Sequence, residues 1–350
     1  MASHNDILSP TSSSRTRMVF AAGLLLLPLL AAAALLTGSM RLAPGEVLSA
    51  LAAAPSDASP AAFIVWQSRV PQVAVALLAG ASLSAAGLVM QTLFANPLAD
   101  PSLLGVNSGA SLGAALVLLC GGTLFAGGGL IVGFMVTLVA AFLGAMAVML
   151  VLLALSSMLR GNMALLIAGV MISFLLSGII SLLNFYATSQ GVRSFVIWGL
   201  GDFSGVPLSS LPLYAVPVGF TLFALLFLAK PFNALLLGAE YAHNLGYRVR
   251  TVRTFGLLSA GLLSAATTAV CGPVSFIGLA VPHIVRLLYR RADHRLLIPS
   301  AILWGGNVAL FALLLTRLPG ERGALPLAAV TPLIGVPVVF YILTKRGMRG

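Results

Sequence analysis

Charged side chains are scarce in this 350-residue chain. Asp, Glu, Lys and Arg make up 8% of it, apolar residues make up 59%, and the mean hydropathy is +1.07. Soluble domains carry about 25% charged residues, because their surface faces water. The composition therefore excludes a soluble globule of this size. It predicts an all-α, polytopic membrane protein, since a helix satisfies its own backbone hydrogen bonds in lipid.

Lysine is almost absent, which bears on nucleotide binding. The only lysines are Lys230, which follows Ala229, and Lys345, which follows Thr344. A P-loop needs a glycine before its lysine and Ser or Thr after it. The chain is thus predicted not to hydrolyse ATP itself, and any ATP hydrolysis that drives it is expected in a separate partner subunit.

Acidic residues are absent from the middle of every apolar run. All eight lie in tails or connections: Asp6, Glu46, Asp57, Asp100, Asp202, Glu240, Asp293 and Glu321. Proton-coupled carriers use carboxylates or histidines within the membrane, so their absence argues against proton coupling. A sodium site built from carbonyl and hydroxyl oxygens stays open.

Cysteine is also scarce. Cys120 and Cys271 lie at predicted helix ends and have no metal-ligand spacing. We interpret them as buried small apolar residues rather than as a disulfide, and we predict no cofactor or metal site.

Long apolar runs dominate what remains. The first, 18–37, exceeds the apolar region of about 7–15 residues in a signal peptide, so it is predicted to be a retained span. Residues 1–17 are polar and predict a disordered cytoplasmic tail, followed by one transmembrane domain over 18–350. Ten spans are predicted in all: 18–37, 73–94, 103–125, 130–156, 164–184, 211–229, 255–271, 275–289, 297–315 and 326–343.

The basic residues predict the orientation of these spans. With both termini cytoplasmic, 14 of the 19 Lys and Arg residues fall on the inside and five on the outside. This is the positive-inside bias of membrane proteins. The net charge of +11 is therefore attributed to topology, and no nucleic acid partner is expected.

Three connections carry the most informative sequence. Segments 94–113 and 271–286 are broken by Pro and Gly at corresponding places in the two halves, which hints at an inverted repeat. His283, in the second, has no second ligand nearby and is interpreted as a hydrogen-bonded structural histidine. The connection 230–253 predicts a short amphipathic helix that ends at Gly246 and docks a partner or lies on the membrane.

Together these segments resemble the FecCD-type permease family, which imports ferric siderophores, haem and cobalamin. The resemblance covers the chain from about residue 66 to its C-terminus. Its main stretches are WQSRVPQ…ANPLADPSLLGVNSGASLG (66–113), VIWGLGDFSGV (196–206), LGAEYAHNLGYRV (237–249), GPVSFIGLAVPHIVRLL (272–288) and AVTPLIGVPVVFYIL (329–343).

The resemblance implies a type II ABC importer permease fold of about ten helices in the inner (cytoplasmic) membrane. It implies a homodimer, two cytoplasmic ATP-binding subunits and an extracytoplasmic substrate-binding protein. Cytoplasmic gates are implied at Asn96, Leu98, Asn162 and Met163. ATPase coupling is implied at Ala239, Glu240, Tyr241, Ala242, His243, Asn244, Leu245 and Gly246. Docking of the binding protein is implied at Arg69 and Arg317, with Glu321 and Arg322 sharing that role.

The chain departs from the family pattern at three positions near the predicted docking residues. Gln72 stands where a second arginine is usual, Leu313 where Asp is common, and Ala324 where Glu is usual.

The favoured function is therefore a permease subunit for ATP-driven import of a ferric siderophore or haem. Cobalamin import is the alternative within this class. An ion-coupled secondary transporter and a non-transporting membrane scaffold are the alternatives from other classes. The absence of a carboxylate from the middle of any span weighs against the carrier, and the Pro- and Gly-broken spans weigh against the scaffold.

Overall fold

The computed structural model describes residues 13–347 except 39, 56, 58, 103, 121–128, 160–161 and 319–322. Over this part of the chain all regular secondary structure is helical, as predicted. The α-helices are α1 (Ser13–Leu36), α2 (Pro44–Ala52), α3 (Pro60–Ile64), α4 (Val70–Leu93), α5 (Val106–Cys120), α6 (Gly129–Met158), α7 (Asn162–Tyr186), α8 (Ser189–Leu200), α9 (Leu211–Phe227), α10 (Ala229–Leu236), α11 (Ala239–Asn244), α12 (Val249–Cys271), α13 (Ile277–Tyr289), α14 (His294–Thr316) and α15 (Leu327–Gly347). A π-helical turn, Val65–Arg69, joins α3 to α4, and a 3-10 turn, Leu208–Ser210, precedes α9.

Ten of these helical segments match the ten predicted spans. Among the described residues, seven are long and apolar enough to cross a membrane: α1, the run from α3 through α4, α6, α7, α9, α12 and α14. Three shorter apolar helices, α5, α13 and α15, complete the ten. The ten-helix prediction is therefore confirmed in number and order.

The first helix starts earlier than predicted. Helix α1 begins at Ser13, whereas the predicted span began at residue 18. Arg15 Nε donates to the carbonyl oxygen of Leu288, 3.2 Å away at the end of α13. Because this contact gives a polar residue a partner, the helix extends into the polar segment. Residues 1–12 of the predicted tail lie outside the described residues.

Helix α4 lies at the centre of the bundle. Of the apolar stretch that ends at Leu93, 83% is buried, against 17% for Met163–Tyr186 in α7 and 11% for α1. Helices α12 and α14 are also mostly buried. The apolar side chains of α7 and α1 therefore face lipid or a partner, while α4 is enclosed by protein.

Glycines bring α4 into backbone contact with its neighbours. A Cβ on Gly80 would overlap the carbonyl oxygen of Gly305 in α14, and a Cβ on Gly87 would overlap that of Gly278 in α13. Gly109 meets Gly144 in the same way, which joins α5 to α6. Small residues permit such close helix packing in membrane proteins, so these glycines let α4 and α5 approach their neighbours at backbone distance.

The bundle has two ends that differ in their polar groups. The last turn of α4 lies with α10, with the start of α14 and with residues of α13; we call this the basic end. The C-terminal end of α1 lies with Arg69, Gln72 and Arg317; we call this the opposite end.

Candidate functional site

The connection between α4 and α5, residues 94–105, forms the centre of the basic end. Helix α4 stops because Ala95 adopts a left-handed conformation with φ of +48°. The backbone N–H of Asn96 then donates to Gln91 O at 3.2 Å, and Asn96 Oδ1 accepts from the N–H of Leu98 at 2.9 Å. This Asx turn leaves the Leu98 side chain 40% exposed at the tip of the connection, while Ala99 beside it is buried.

A buried carboxylate holds the next part of the connection. Asp100 Oδ1 accepts hydrogen bonds from both the N–H of Ser102, at 2.8 Å, and its hydroxyl. The other carboxylate oxygen faces Gly278 at the start of α13, where a Cβ would overlap it. Burial raises the pKa of the Asp100 carboxyl, and the two bonds from Ser102 partly offset that rise.

Helix α13 holds the connection from the other side. His283 Nε2 lies 2.8 Å from Pro97 O, so the histidine is hydrogen-bonded to the backbone, as the interpretation of His283 required. Arg286 donates to Gln91 Oε1, and Gln91 Nε2 donates to Leu279 O at 3.3 Å. No cluster of three or more potential metal ligands occurs among the described residues.

The second predicted gate lies at the start of α7. The helix begins at Asn162, whose side chain lies outside the described residues, and the Met163 side chain is 65% exposed. About two turns further on, Leu104 of the connection 94–105 packs on Gly169, where a Cβ would lie 2.9 Å from Leu104 Cα. The connection and the start of α7 thus share a packing contact, and both predicted gate segments present an exposed apolar side chain.

The predicted coupling segment forms α10 and α11. Gly238, with φ of +112°, separates the two helices, and Gly246, with φ of +87°, ends α11. The N–H of Tyr247 donates to Ala242 O at 3.1 Å and that of Gly246 to His243 O at 2.9 Å. This pair of bonds is a Schellman motif, so the predicted end of the helix at Gly246 is confirmed.

Apolar side chains on this segment face solvent rather than the bundle. Of residues 236–246 only Ala242 is buried, and Glu240, His243 and Asn244 are exposed. We call the following four exposed side chains the coupling patch: Leu236, Leu237, Tyr241 and Leu245. Contiguous exposed apolar side chains outside the spans are typical of a protein interaction site.

The predicted docking arginines lie at the opposite end and bind the end of α1. Arg69 is only 2% exposed, and its guanidinium donates to Leu35 O at 2.6 Å, Leu36 O at 3.1 Å and Met40 O at 2.7 Å.

Arg317 donates to Ala34 O, to Thr37 O at 2.8 Å and to Gln72 Oε1. Burial, and then the neighbouring charge of Arg69, lower the pKa of Arg317 to about 10, so it remains cationic at neutral pH. Glu321 and Arg322 lie outside the described residues.

A cavity of about 1280 Å³ lies beside α8. Both cysteines line it as free thiols. Cys271 is buried as predicted, but Cys120 is exposed at the end of α5, so the prediction of two buried residues is wrong for Cys120. Thr137, Ser194 and Asp202 add polar groups to a mostly apolar wall.

Comparison with known proteins decides the family. The sequence profile of the FecCD transport family matches residues 24–345. The chain belongs to the FecCD transport family.

Individual relatives agree with this assignment. The chain is 33% identical over 334 residues to the vitamin B12 import system permease protein BtuC of Klebsiella pneumoniae, covering 95% of each chain. It is 34% identical over 313 residues to BtuC of Salmonella paratyphi A, covering 89% of this chain and 90% of that one.

The fold has a close counterpart among solved structures. The chain matches, with a TM-score of 0.81 and 26% identity, a transporter assigned to the metal-chelate type of ABC transporters in an inward-facing conformation. The match covers 94% of this chain and 99% of that chain. Together the family and these relatives establish a multi-pass permease of the ABC importer class, which removes the secondary carrier and the scaffold from the candidate functions.

Sequence reasoning missed a set of polar residues at the basic end. His294 in α14 hydrogen-bonds to Thr92 in α4 and to Asn233 in α10. None of these three residues belongs to a predicted site. The available signal was a histidine directly after Asp293, the N-cap of an apolar span, because a polar side chain buried at a helix end needs a partner.

Proposed function

We propose that this chain is the translocation subunit of an importer for a large metal chelate, driven by ATP hydrolysis in separate partner subunits. The observation that carries the proposal is the coupling patch on α10 and α11. It gives a family permease without a P-loop an exposed apolar surface on which a partner can act.

Cobalamin is the first cargo to test, because the two curated relatives described above are vitamin B12 permeases. A ferric siderophore or haem is the second, because the structural relative is assigned to metal-chelate transport in general. Both cargoes are metal chelates too large for a narrow channel, so both fit a pathway that opens by movement of whole helices.

We propose that the basic end is cytoplasmic, with both termini on that side, because 14 of the 19 Lys and Arg residues are predicted there. Leu98 and Met163 then lie at the cytoplasmic mouth of the pathway, where Asn96 and Asn162 begin the turns that present them. Two copies of the chain are proposed to form the pathway between them, as the family resemblance implies.

The opposite end is proposed to receive a substrate-binding protein outside the cell. Arg317 is partly exposed and better placed for this than Arg69, whose guanidinium is enclosed by α1. Arg69 takes part only if it exchanges its carbonyl partners for a carboxylate of the binding protein. Glu321 and Arg322 follow Arg317 in the chain and complete the proposed docking site.

The deciding experiment is to co-purify the permease with its ATP-binding subunits, reconstitute the complex in liposomes and supply the binding protein. ATPase activity and uptake are measured with cobalamin, a ferric siderophore and haem in separate arms. The proposal expects one chelate to stimulate both activities, and the permease alone to bind no ATP. Hydrolysis by the permease alone, or no response to any chelate, would contradict it.

A further inference from the structure

His294 lies where three helices meet at the basic end. It is the first residue of α14, follows the N-cap Asp293 and is 1% exposed. Its ring lies 5.7 Å from that of Phe232 in α10. Its two ring nitrogens point to different helices: Nδ1 is 2.9 Å from Asn233 Oδ1 in α10, and Nε2 is 2.7 Å from Thr92 Oγ1 in α4.

The hydrogen-bond partners fix which nitrogen carries a proton. The backbone N–H of His294 donates to Asn233 Oδ1 at 2.8 Å, and Asn233 Nδ2 donates to Asp293 Oδ1. The orientation of the Asn233 amide is therefore set, and its oxygen faces the ring. Because that oxygen only accepts, His294 Nδ1 must donate. In the neutral ring Nε2 then accepts from the Thr92 hydroxyl, which otherwise donates to Leu88 O at 2.8 Å.

Each end of this chain of hydrogen bonds meets a segment with a proposed function. Thr92 lies in the last turn of α4, directly before the connection 94–105. Asn233 lies on α10 and precedes the coupling patch by three residues. The imidazole ring is rigid and is held at both nitrogens, so a displacement of Asn233 that moves the ring also moves the nitrogen that faces Thr92. Burial strengthens both bonds and makes a lost partner costly.

We propose that His294 is a positioning residue that couples movement of α10 and α11 to the last turn of α4, and through it to the gate at Leu98. The inference rests on the proposed function, because it needs a partner that moves the coupling patch. In this proposal movement of α10 reaches His294 through Asn233, and His294 passes it to α4 through Thr92.

The test uses substitutions that retain one end of the link at a time. In His294→Asn the amide occupies the position of Nδ1 and keeps the contact with Asn233 but loses Thr92. In His294→Gln it reaches the position of Nε2 and keeps Thr92 but loses Asn233. Thr92→Val removes the hydroxyl from the other side. Thr316→Val is the matched control, because Thr316 is equally buried near the other end of α14 and its hydroxyl bonds only to Leu313 O.

The measurement is the number of chelate molecules transported per ATP hydrolysed by the reconstituted complex, with the melting temperature measured in parallel. Allosteric couplings correspond to about 5- to 150-fold, so a fall of about fivefold or more is expected for His294→Asn, His294→Gln and Thr92→Val. Thr316→Val should keep the wild-type ratio. Thr92→Val should cause no further fall in the His294→Asn background, because the link is already broken there.

Three results would overturn the inference. The first is a wild-type ratio in His294→Asn and Thr92→Val. The second is an equal fall in Thr92→Val and Thr316→Val. The third is additive losses in the double variant, which would indicate independent packing defects. A wild-type complex that transports no chelate would overturn the proposed function as well, whereas a working wild type with unaffected variants overturns this inference alone.

Discussion

At the residue scale, Arg69 is first a structural side chain. Its guanidinium donates to three carbonyl oxygens at the end of α1, where a helix leaves its last carbonyls without partners. A side chain that satisfies them fixes the end of α1 against α4.

We therefore expect Arg69→Ala to destabilise the permease. Hydrogen bonds to a charged group contribute about 1.5–3 kcal/mol each. The loss of stability in Arg69→Ala should therefore exceed the loss caused by replacing an exposed arginine with alanine. The measurement is thermal unfolding of the detergent-solubilised chain, with Arg193→Ala as control because Arg193 is exposed on α8. Equal melting temperatures for the two variants would refute this role.

This role changes how docking must be tested. Arg69→Glu should remove binding of the substrate-binding protein both by charge and by disturbing α1, so it does not separate the two causes. Arg317→Glu and Arg69→Glu should be compared at low and high salt with stability measured alongside. Undiminished binding by a folded Arg317→Glu variant would contradict the docking proposal.

Gln72 shows how a departure from the family pattern fits its surroundings. Its Oε1 accepts a hydrogen bond from Arg317. The guanidinium of Arg317 also lies close enough to the positive charge of Arg69 to be repelled by it. The family's usual Asp is replaced by Leu313, which is buried. Arg69 and Arg317 already place two guanidinium groups here, and the Asp that would offset their charge is replaced by Leu313. A neutral hydrogen-bond acceptor at position 72 therefore avoids adding a third positive charge.

Gln72→Arg is expected to destabilise the chain, whereas Gln72→Glu should be tolerated because a carboxylate also accepts from Arg317. Like charges about 4 Å apart repel by about 1 kcal/mol in water and about 4 kcal/mol near a protein surface. The two melting temperatures, measured at low and high salt, check this. The difference between the variants should shrink as salt rises, and a constant difference would mean that charge is not the cause.

The sequence predicted which residue types lie at these positions but not their partners. Arginines at the ends of spans two and nine were predicted to be docking residues from the family pattern alone. Their contacts with the carbonyls of α1 depend on how α1 packs against α4 and α14, which no local pattern encodes. Side chains that bind distant backbone leave no spacing signal.

At the element scale, hydropathy was sufficient to predict all ten apolar helices, because a segment that crosses lipid must satisfy its backbone hydrogen bonds internally. The shorter helices α2, α3 and α8 were missed, since they are not long apolar runs. Their signals are local: Pro44 begins α2, where Glu46 accepts from the N–H of Ala43 at 2.8 Å, and Thr188 caps α8 by accepting from Gly191. The centrality of α4 was also not predictable from its hydropathy of 2.1, because the mostly exposed helices α1 and α9 have values of 2.6 and 1.8, on either side of it.

The backbone contact between α4 and α13 gives an element-scale prediction. Gly87→Ala should weaken assembly of the bundle, because the added methyl group would overlap Gly278 O. Overpacking of this kind typically costs about 1–3 kcal/mol. Gly219→Ala is the matched control, since a Cβ there meets nothing within 4 Å. Thermal unfolding of both variants is the measurement, and a neutral Gly87→Ala would mean that the two helices separate at little cost.

At the scale of the whole molecule, the segments that are proposed to move during transport all lie at the basic end. The connection 94–105, the start of α7 and the coupling segment all lie at or beyond the ends of the apolar helices, and each exposes apolar side chains. Burial of the spans keeps the bundle together, whereas exposed apolar groups at its end remain available to a partner. The sequence predicted these segments by resemblance, but their exposure became evident only in three dimensions.

The coupling patch supplies the last prediction. Leu237→Asp should prevent stable association with the ATP-binding subunits, because it places a charge where apolar surface would be buried. Leu245→Pro should leave assembly weaker and uptake uncoupled, since proline removes the N–H that Leu245 donates to Tyr241 O at 3.1 Å. Leu318→Asp is the matched control: Leu318 is 73% exposed against 67% for Leu237, but it lies at the opposite end. Co-purification yield, ATPase activity per complex and uptake are measured for all three. If Leu237→Asp assembles as well as Leu318→Asp and still transports, the partner contacts a different surface. A charge buried in an interface without a counter-charge costs enough free energy to weaken assembly measurably.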